Sequence, residues 1–408
     1  MSQIKQIMMA NIDVVYVHLI ERFEEQRINF FAALSELRSL GYDVPKIAPF
    51  LDPFGIWALK EARLDVAKKG GKDEFVGQYL RFFEQYFAVN TDALAETYLA
   101  QIDGRLVLVT WWVYTILQNQ DALSRRDIEE RLMQALGDRR PAFRRGTYIV
   151  TTALIDPDLS FSDERAVFFS GYTYCIQSVH NGIYVHHLQP GYWDQNLRRP
   201  GYHMPRHGGR PYKAAWDYVL YQCMPHVHRI YIESWNEYDE GSGIYAADPN
   251  GPLIMSAEAR QRDCWSDNND SFEYIRTTAA GASVFNRRPQ YDARILYHAF
   301  PKVVRCGERA EAVVVVQNRG NIAWKRSDDI SFGVKGAGAD FGKPQYPVSD
   351  ADVEIDPNGG IFRGAPVRFT IQLQAPPRAG RFTGTWSMLR DGNTAFGEEL
   401  EISIDVLN

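Results

Sequence analysis

The 408-residue chain has no long hydrophobic run. Its most apolar stretch, Leu106–Thr110 with the aromatics after it, falls far short of the ~20 residues a membrane-spanning helix needs. Nor is there a block of basic residues. The 45 Lys and Arg and 51 Asp and Glu are spread along the chain and leave a net charge of −6. That argues against a nucleic-acid partner, and the lack of an acidic tail argues against a disordered one. Cysteine is scarce. Cys175, Cys223, Cys264 and Cys306 lie far apart with no CxxC pair, so we expect no metal and read them as small buried residues. They leave the compartment open. No Gly-rich phosphate loop follows the first predicted strand, which disfavours a dinucleotide-binding fold, and no organic cofactor is expected. Repeats and low-complexity tracts are missing. The start, Met1 to Met9, lacks the charged-then-apolar pattern of a signal peptide.

Aromatic residues, by contrast, are abundant at 13%, with 22 Tyr and 9 Trp. Such side chains offer a flat apolar face with a polar edge. A sugar ring fits that combination, because its C–H face stacks while its hydroxyls seek hydrogen bonds.

Short β-rich runs alternate with helical patterns through the first 290 residues. Strands are predicted at Ile12–Leu19, Val44–Phe50, Arg105–Trp112, Thr147–Ile155, Ala166–Ser170, Gly182–Leu188 and Arg229–Trp235. Helices are predicted at Arg27–Leu40 with Gly41 as C-cap, Asp73–Phe87, Thr91–Ile102, Ser124–Leu136 with Ser124 as N-cap, Tyr212–Cys223 and Ser271–Phe285. Alternation of this kind implies a parallel sheet covered by helices. The expected fold is a (β/α)8 TIM-type barrel over residues 1–290, short of one strand, since seven are visible and closure takes eight. An open doubly wound sheet is the runner-up. Beyond Asn286-Arg-Arg-Pro-Gln290 the helices stop. Ala310–Gln317, Ile330–Val334, Val367–Gln374, Arg381–Leu389 and Leu400–Val406 read as strands, so residues 291–408 are expected to form an Ig-like β-sandwich.

Chemistry-bearing residues gather after the predicted strand ends, where a barrel builds its active site. They are His18, Asp52, Trp111, His187, Trp193 and Glu237. The densest group is Trp235-Asn236-Glu237-Tyr238-Asp239-Glu240-Gly241. Glycoside cleavage needs two carboxyl groups, one to donate a proton and one to act as base, nucleophile or charge stabiliser, about 5–5.5 Å apart for a retaining outcome. On a helical turn, residues three apart have Cβ atoms about 5–6 Å apart. Glu237 and Glu240 have that spacing, and neighbouring acids push each other's pKa values apart. The alternative is a solvated acidic turn. A pair of glutamates pointing apart, or buried in ion pairs, would exclude hydrolysis.

The motif resembles the Asn-Glu-Trp-His-Glu-Gly signature of glycoside hydrolase family 99, the endo-α-mannosidases and endo-α-mannanases. His187-Leu-Gln-Pro-Gly191-Tyr192-Trp193-Asp194 is similar to that family's Pro-Gly-Tyr-Asp segment. The likeness spans residues 8–285 and is concentrated in 185–245. It implies a retaining hydrolase of an α-linked oligo- or polysaccharide, in which Glu237 is the base on the sugar 2-hydroxyl and Glu240 the acid/base. The chain departs from the family in two places. Tyr238-Asp239 replaces Trp-His, and the strand expected ahead of Ile12–Leu19 is missing. Two other readings compete: a barrel that binds carbohydrate without cleaving it, and a hydrolase with Glu237 as acid and its nucleophile on another strand.

Around this pair, Trp235, Asn236, Tyr238 and Asp239 are candidate substrate contacts, as are Tyr192, Trp193 and Asp194. His187 is a candidate hydrogen-bond partner; its neighbour His186 must face the other side of the strand. One of Trp111, Trp112 and Tyr114 is expected to stack on sugar, the alternative being core filling. Asp52 and His18 are further polar candidates, while His226 and His228 read as structural. From residue 295 onward, Val316-Gln-Asn318-Arg-Gly320-Asn-Ile-Ala-Trp324 and Gly384-Thr-Trp386-Ser-Met-Leu389 resemble the Ig-like four-tryptophan domain of autophagy receptors and its bacterial relatives. Only Trp324 and Trp386 of its four tryptophans are present. The resemblance implies a sandwich, read as a structural accessory.

Overall fold

The computed structural model describes residues 1–56, 63–152, 159–168, 173–195, 197–248, 270–335, 341, 345–349 and 360–408. Cys264 and the ends of two predicted strands, 153–155 and 169–170, lie outside them. The chain groups into two compact units. The first holds residues 12–35 and 45–281 with Met1; the second holds Ser2–Asn11, Glu36–Val44 and Ala282–Asn408.

The strands of the first unit are β1 (Val14–His18), β2 (Lys46–Leu51), β3 (Arg105–Thr110), β4 (Thr147–Thr152), β5 (Glu164–Ala166), β6 (Cys175–His180), β7 (Ile183–Leu188) and β8 (Arg229–Ile232). Strands β1 to β5 pair in that order, all parallel. In a second sheet, β8 runs parallel to β7, and β6 is antiparallel to it. Buried on both faces, the central strands are nearly continuous apolar runs, as in Leu106-Val-Leu-Val109. The inward residues of both sheets share one interior. Ala48, Phe50, Val107, Val109, Tyr148, Val150, Ala166 and Val185 form its core, and Tyr16 and Tyr231 pack against it. The Tyr16 hydroxyl donates to the Tyr231 hydroxyl at 3.2 Å. The architecture is therefore mixed α/β with a parallel sheet. Among the described residues the hydrogen-bonded ladder does not run around a closed eight-stranded barrel.

The interior between the sheets carries a buried acid, Glu164. The Glu164 side chain is fully buried, and Arg229 Nη1 lies 2.8 Å from its Oε2. The Tyr148 hydroxyl donates to Oε2 at 2.7 Å and Tyr231 donates to Oε1. A buried carboxylate is tolerable only when its charge and lone pairs are answered in this way.

The covering helices are α2 (Glu24–Ser39), α3 (Lys69–Val89), α4 (Arg125–Leu136), α5 (Arg210–Tyr218) and α6 (Glu273–Asn286), after α1 (Ser2–Met9). Ser124 closes a capping box with Asp127 at the start of α4. The helix expected over Thr91–Ile102 is not formed. Only a 3-10 turn, Ala95–Tyr98, is helical, and Gln101–Ile102 pair antiparallel with Arg105–Leu106. The reason is Asp103-Gly104, at φ 52° and 76°, a left-handed pair that favours a two-residue hairpin turn. Asn181-Gly182, at φ 51° and 76°, makes the β6–β7 hairpin in the same manner. The predicted Tyr212–Cys223 helix is α only to Tyr218 and continues as a π-turn, Val219–Cys223.

The second unit carries two sheets. β9 (Ala293–Ala299), β11 (Arg309–Asn318) and β14 (Pro366–Gln374) form one antiparallel sheet; β10 (Val303–Arg305), β16 (Thr394–Leu407), β15 (Gly380–Arg390), β12 (Ser331–Val334) and β13 (Gln345–Pro347) form the other, in that order. Strand β14 alternates cleanly, with Val367, Phe369, Ile371 and Leu373 buried and Arg368, Thr370 and Gln372 exposed. Trp324 and Trp386 are both core residues. Trp324 packs edge-on to Phe396 and Trp386 stacks on Phe332.

Candidate active site

Parallel register brings the C-terminal ends of the strands together. His18 pairs with Phe50, Leu51 with Thr110, and Leu188 with Ile232. His18, Asp52, Trp111, Gln189 and Glu233 therefore leave the sheets at the same end as the Ser234–Gly241 segment.

That segment is a turn, not the helical turn expected from the spacing of its glutamates. Its ends are tied to each other. Ser234 N donates to Ser242 O at 3.0 Å, and Ile244 N donates to Ser234 O at 3.1 Å. The Ser234 hydroxyl accepts from Glu237 N at 2.9 Å. Gly241 reverses the chain at φ 59°, a conformation that favours glycine. The buried Arg206 pins the far side, its Nη2 donating to Gly241 O at 2.8 Å and Gly243 O at 2.7 Å.

Within the turn the two glutamates differ sharply. Burial, then the charges of Glu240, Asp239 and Asp52, push the Glu237 carboxyl up to about 7. Among the described residues it is in no ion pair. Glu240 is held at two points: Trp193 N donates to its carbonyl at 2.8 Å, and Arg198 Nη1 donates to its Oε1 at 3.0 Å. Its side chain is 18% exposed. Arg198 Nη1 also donates to Asp194 Oδ2 at 2.5 Å and to the Tyr192 hydroxyl at 3.1 Å. Asp194 has no exposed side-chain surface, and its Oδ1 accepts from Tyr202 N at 2.6 Å. Burial and the Glu240 carboxylate hold the Tyr192 phenol well above its ordinary pKa, so it remains a donor.

The remaining candidates fall around this centre. Asp52, buried, contributes to the field on Glu237 and lies 4.0 Å from His18 Nδ1. The half-exposed His18 ring stacks on Phe50 with centroids 4.5 Å apart. His187 is buried, its Nε2 3.1 Å from Glu233 Oε2 without hydrogen-bond alignment, and burial pushes it down to about 3. His186, on the opposite face of β7, lies 3.4 Å from Cys175 Sγ. His228 accepts from Tyr184 N at 3.1 Å. Trp111 and Trp112 stack on each other with centroids 5.0 Å apart. Tyr114 sits on a 3-10 turn, 38% exposed, its carbonyl accepting from Arg63. Trp235 is half-buried, Asn236 and Asp239 are exposed, and the exposed Tyr238 ring packs edge-on to Tyr245 at 4.7 Å.

Sequence reasoning passed over Arg198, Arg206 and Glu233. Arg198 stands four residues after Asp194, an acid–base spacing that could have drawn attention to it. Arg206 leaves no local signal, because its acceptors are carbonyls more than thirty residues away. Glu233 directly follows β8, inside the run Arg229–Trp235 predicted as strand.

A model for the Ig-like domain from next to BRCA1 gene matches residues 300–406. No curated protein matches the chain. Among solved structures, a glycoside hydrolase-like protein aligns over 68% of this chain and 83% of its own, with 14% identity and a TM-score of 0.43. An endo-β-1,4-mannanase from Thermotoga petrophila aligns over 95% and 72%, with 10% identity and a TM-score of 0.18. The CARDB domain of a Pyrococcus furiosus protein aligns over 29% and 97%, with 15% identity and a TM-score of 0.20. At these values the likeness assigns no activity.

Proposed function

We propose that the protein is a glycoside hydrolase acting on an α-linked oligo- or polysaccharide, with Glu237 and Glu240 as its working carboxylates. In this reading residues 1–290 form an endo-α-mannosidase-like barrel, and residues 291–408 form an accessory sandwich of the four-tryptophan type. The observation that carries it is the asymmetry of the acid pair: one carboxyl holds its proton to about pH 7, and its neighbour is ion-paired to Arg198. A carboxyl able to donate a proton beside a second carboxyl group is what glycoside cleavage requires. The asymmetry favours Glu237 as the group that moves the proton, reversing the emphasis of the family parallel. Glu240 then faces the positive charge that develops at the anomeric carbon. Trp193, Tyr238 and the Trp111–Trp112 stack supply faces for the sugar rings, and His18, Asp52, Asn236 and Asp239 supply polar contacts; Tyr192, His187 and Asp194, expected as contacts, are buried and support the site without touching sugar. Overall retention is expected.

The exclusion set for two glutamates buried in ion pairs is half met: Glu240 is paired to Arg198 with 18% of its side chain exposed, while Glu237 is in no ion pair among the described residues. That pair favours a second reading, carbohydrate binding without turnover, because Glu240 must stay engaged with its cation. A glycan panel separates the two. Release of new reducing ends is expected from the wild type and is expected to fall at least ~100-fold in Glu237→Gln and Glu240→Gln, with glycan binding retained. Equal release by all three proteins would defeat the hydrolase assignment, and binding with no release by any would establish the second reading.

A further inference from the structure

Arg198 draws attention because a single nitrogen reaches two carboxylates on different segments. Its Nη1 meets Asp194 Oδ2 at 2.5 Å and Glu240 Oε1 at 3.0 Å. The two acids play different parts. Asp194 is wholly buried and also bonded to Tyr192 and Tyr202, so it cannot move to follow the cation. Glu240 is partly exposed and lies in the turn that carries Glu237. Gly201 is packed so closely that a Cβ there would meet Asp194 Oδ1 at 2.2 Å. The anchor is thus built into the Asp194–Tyr202 loop, while the other end of the bridge is the functional turn.

Resting on the reading of this turn as the working site, we propose that Arg198 is its positioning residue: anchored on Asp194, it fixes the Glu240 side chain and partly offsets its charge, leaving Glu237 as the group that holds the proton. The charged and titratable groups facing the pair are Arg198, Tyr192 and Asp194 beside Glu240, and Asp239 and Asp52 beside Glu237. All but Arg198 are acids or phenols, so nothing else in this set offsets the Glu240 charge. Burial works against the Arg198 cation, yet Asp194 and Glu240 raise its pKa overall, so it stays charged throughout the working range. Without it, two carboxylates in one turn would compete for a proton and titrate as a coupled dyad.

The test is a carboxyl-carbon NMR titration of the full chain, which needs no substrate and does not depend on turnover. In the wild type we expect the Glu237 resonance to report a single step. In Arg198→Gln the Glu237 resonance should report two steps, and the higher midpoint should lie at least half a pH unit above that of the wild type. Arg198→Lys, which keeps the charge but loses the planar fork, should fall between them and keeps the test readable if Arg198→Gln fails to fold. Unchanged titrations in Arg198→Gln, or an Arg198→Lys protein that matches the wild type, would overturn the proposal. Failure of the glycan panel with these titrations as expected would remove the hydrolase reading alone.

Discussion

Glu237 is where the strand, the turn and the local field meet. The sequence marked it through Arg229–Trp235, a β-rich run followed by three acids in four residues. It could not show how unlike its two glutamates are, because that difference comes from Arg198, Asp52 and burial, all supplied by the fold. The raised pKa has a stability consequence. The folded protein binds this proton more tightly than the unfolded chain, whose glutamate titrates near 4.5. The stability from that extra affinity is complete below pH 4.5 and is lost as pH rises toward 7. One pKa unit corresponds to about 1.4 kcal/mol, so after discounting for solvent screening the ionised group costs about 1–2 kcal/mol. Glu237→Gln should therefore be more stable than the wild type at pH 8 by that amount and nearly equal to it at pH 4.5, read from urea unfolding midpoints. An equal difference at both pH values would mean that the charge is not its source.

At the scale of elements, strand period and apolar content were legible. Six of the seven strands predicted in the first 290 residues are present in β1 to β4, β7 and β8; the one predicted at Ala166–Ser170 shares only Ala166 with β5, and residues 167–168 are not strand. The errors came from turns. Asp103-Gly104 and Asn181-Gly182 are both hairpin signals that apolar periodicity does not register. One cost a false helix over Thr91–Ile102, and the other concealed β6. The acid segment was read as helical from spacing alone, whereas Ser234, Arg206 and Gly241 make it a turn. Strand β5 shows what an element adds beyond its pattern. Its Glu164 is answered by Arg229 on β8 and Tyr148 on β4, so it ties strands of both sheets to one buried charge. Glu164→Ala leaves Arg229 uncompensated and should destabilise the protein by about 3–5 kcal/mol. Glu164→Gln, which keeps the shape and some hydrogen bonds, should cost less. Similar urea midpoints for the wild type and Glu164→Ala would show that the network contributes little.

Across the whole molecule, composition and periodicity separated a helix-and-strand region from an all-β one. The grouping of Ser2–Asn11 and Glu36–Val44 with the second unit was not legible, because it depends on contacts such as Gln317 Nε2 to Gly41 O at 2.7 Å and Arg319 to Asp43 at 2.8 Å. These join residues more than 270 positions apart, and no local pattern encodes them. The aromatic abundance noted in the sequence is divided between roles. Much of it fills cores, as with Trp324, Trp386 and Phe332, and a smaller share lies at the strand ends near the acid turn. The functional account rests on that smaller share and on one ionisable group, and the group can be measured in the wild type without a substrate. A carboxyl-carbon titration of Glu237 should give a midpoint near 7. A midpoint near 4.5 would identify the segment as an ordinary solvated acidic turn and contradict the account.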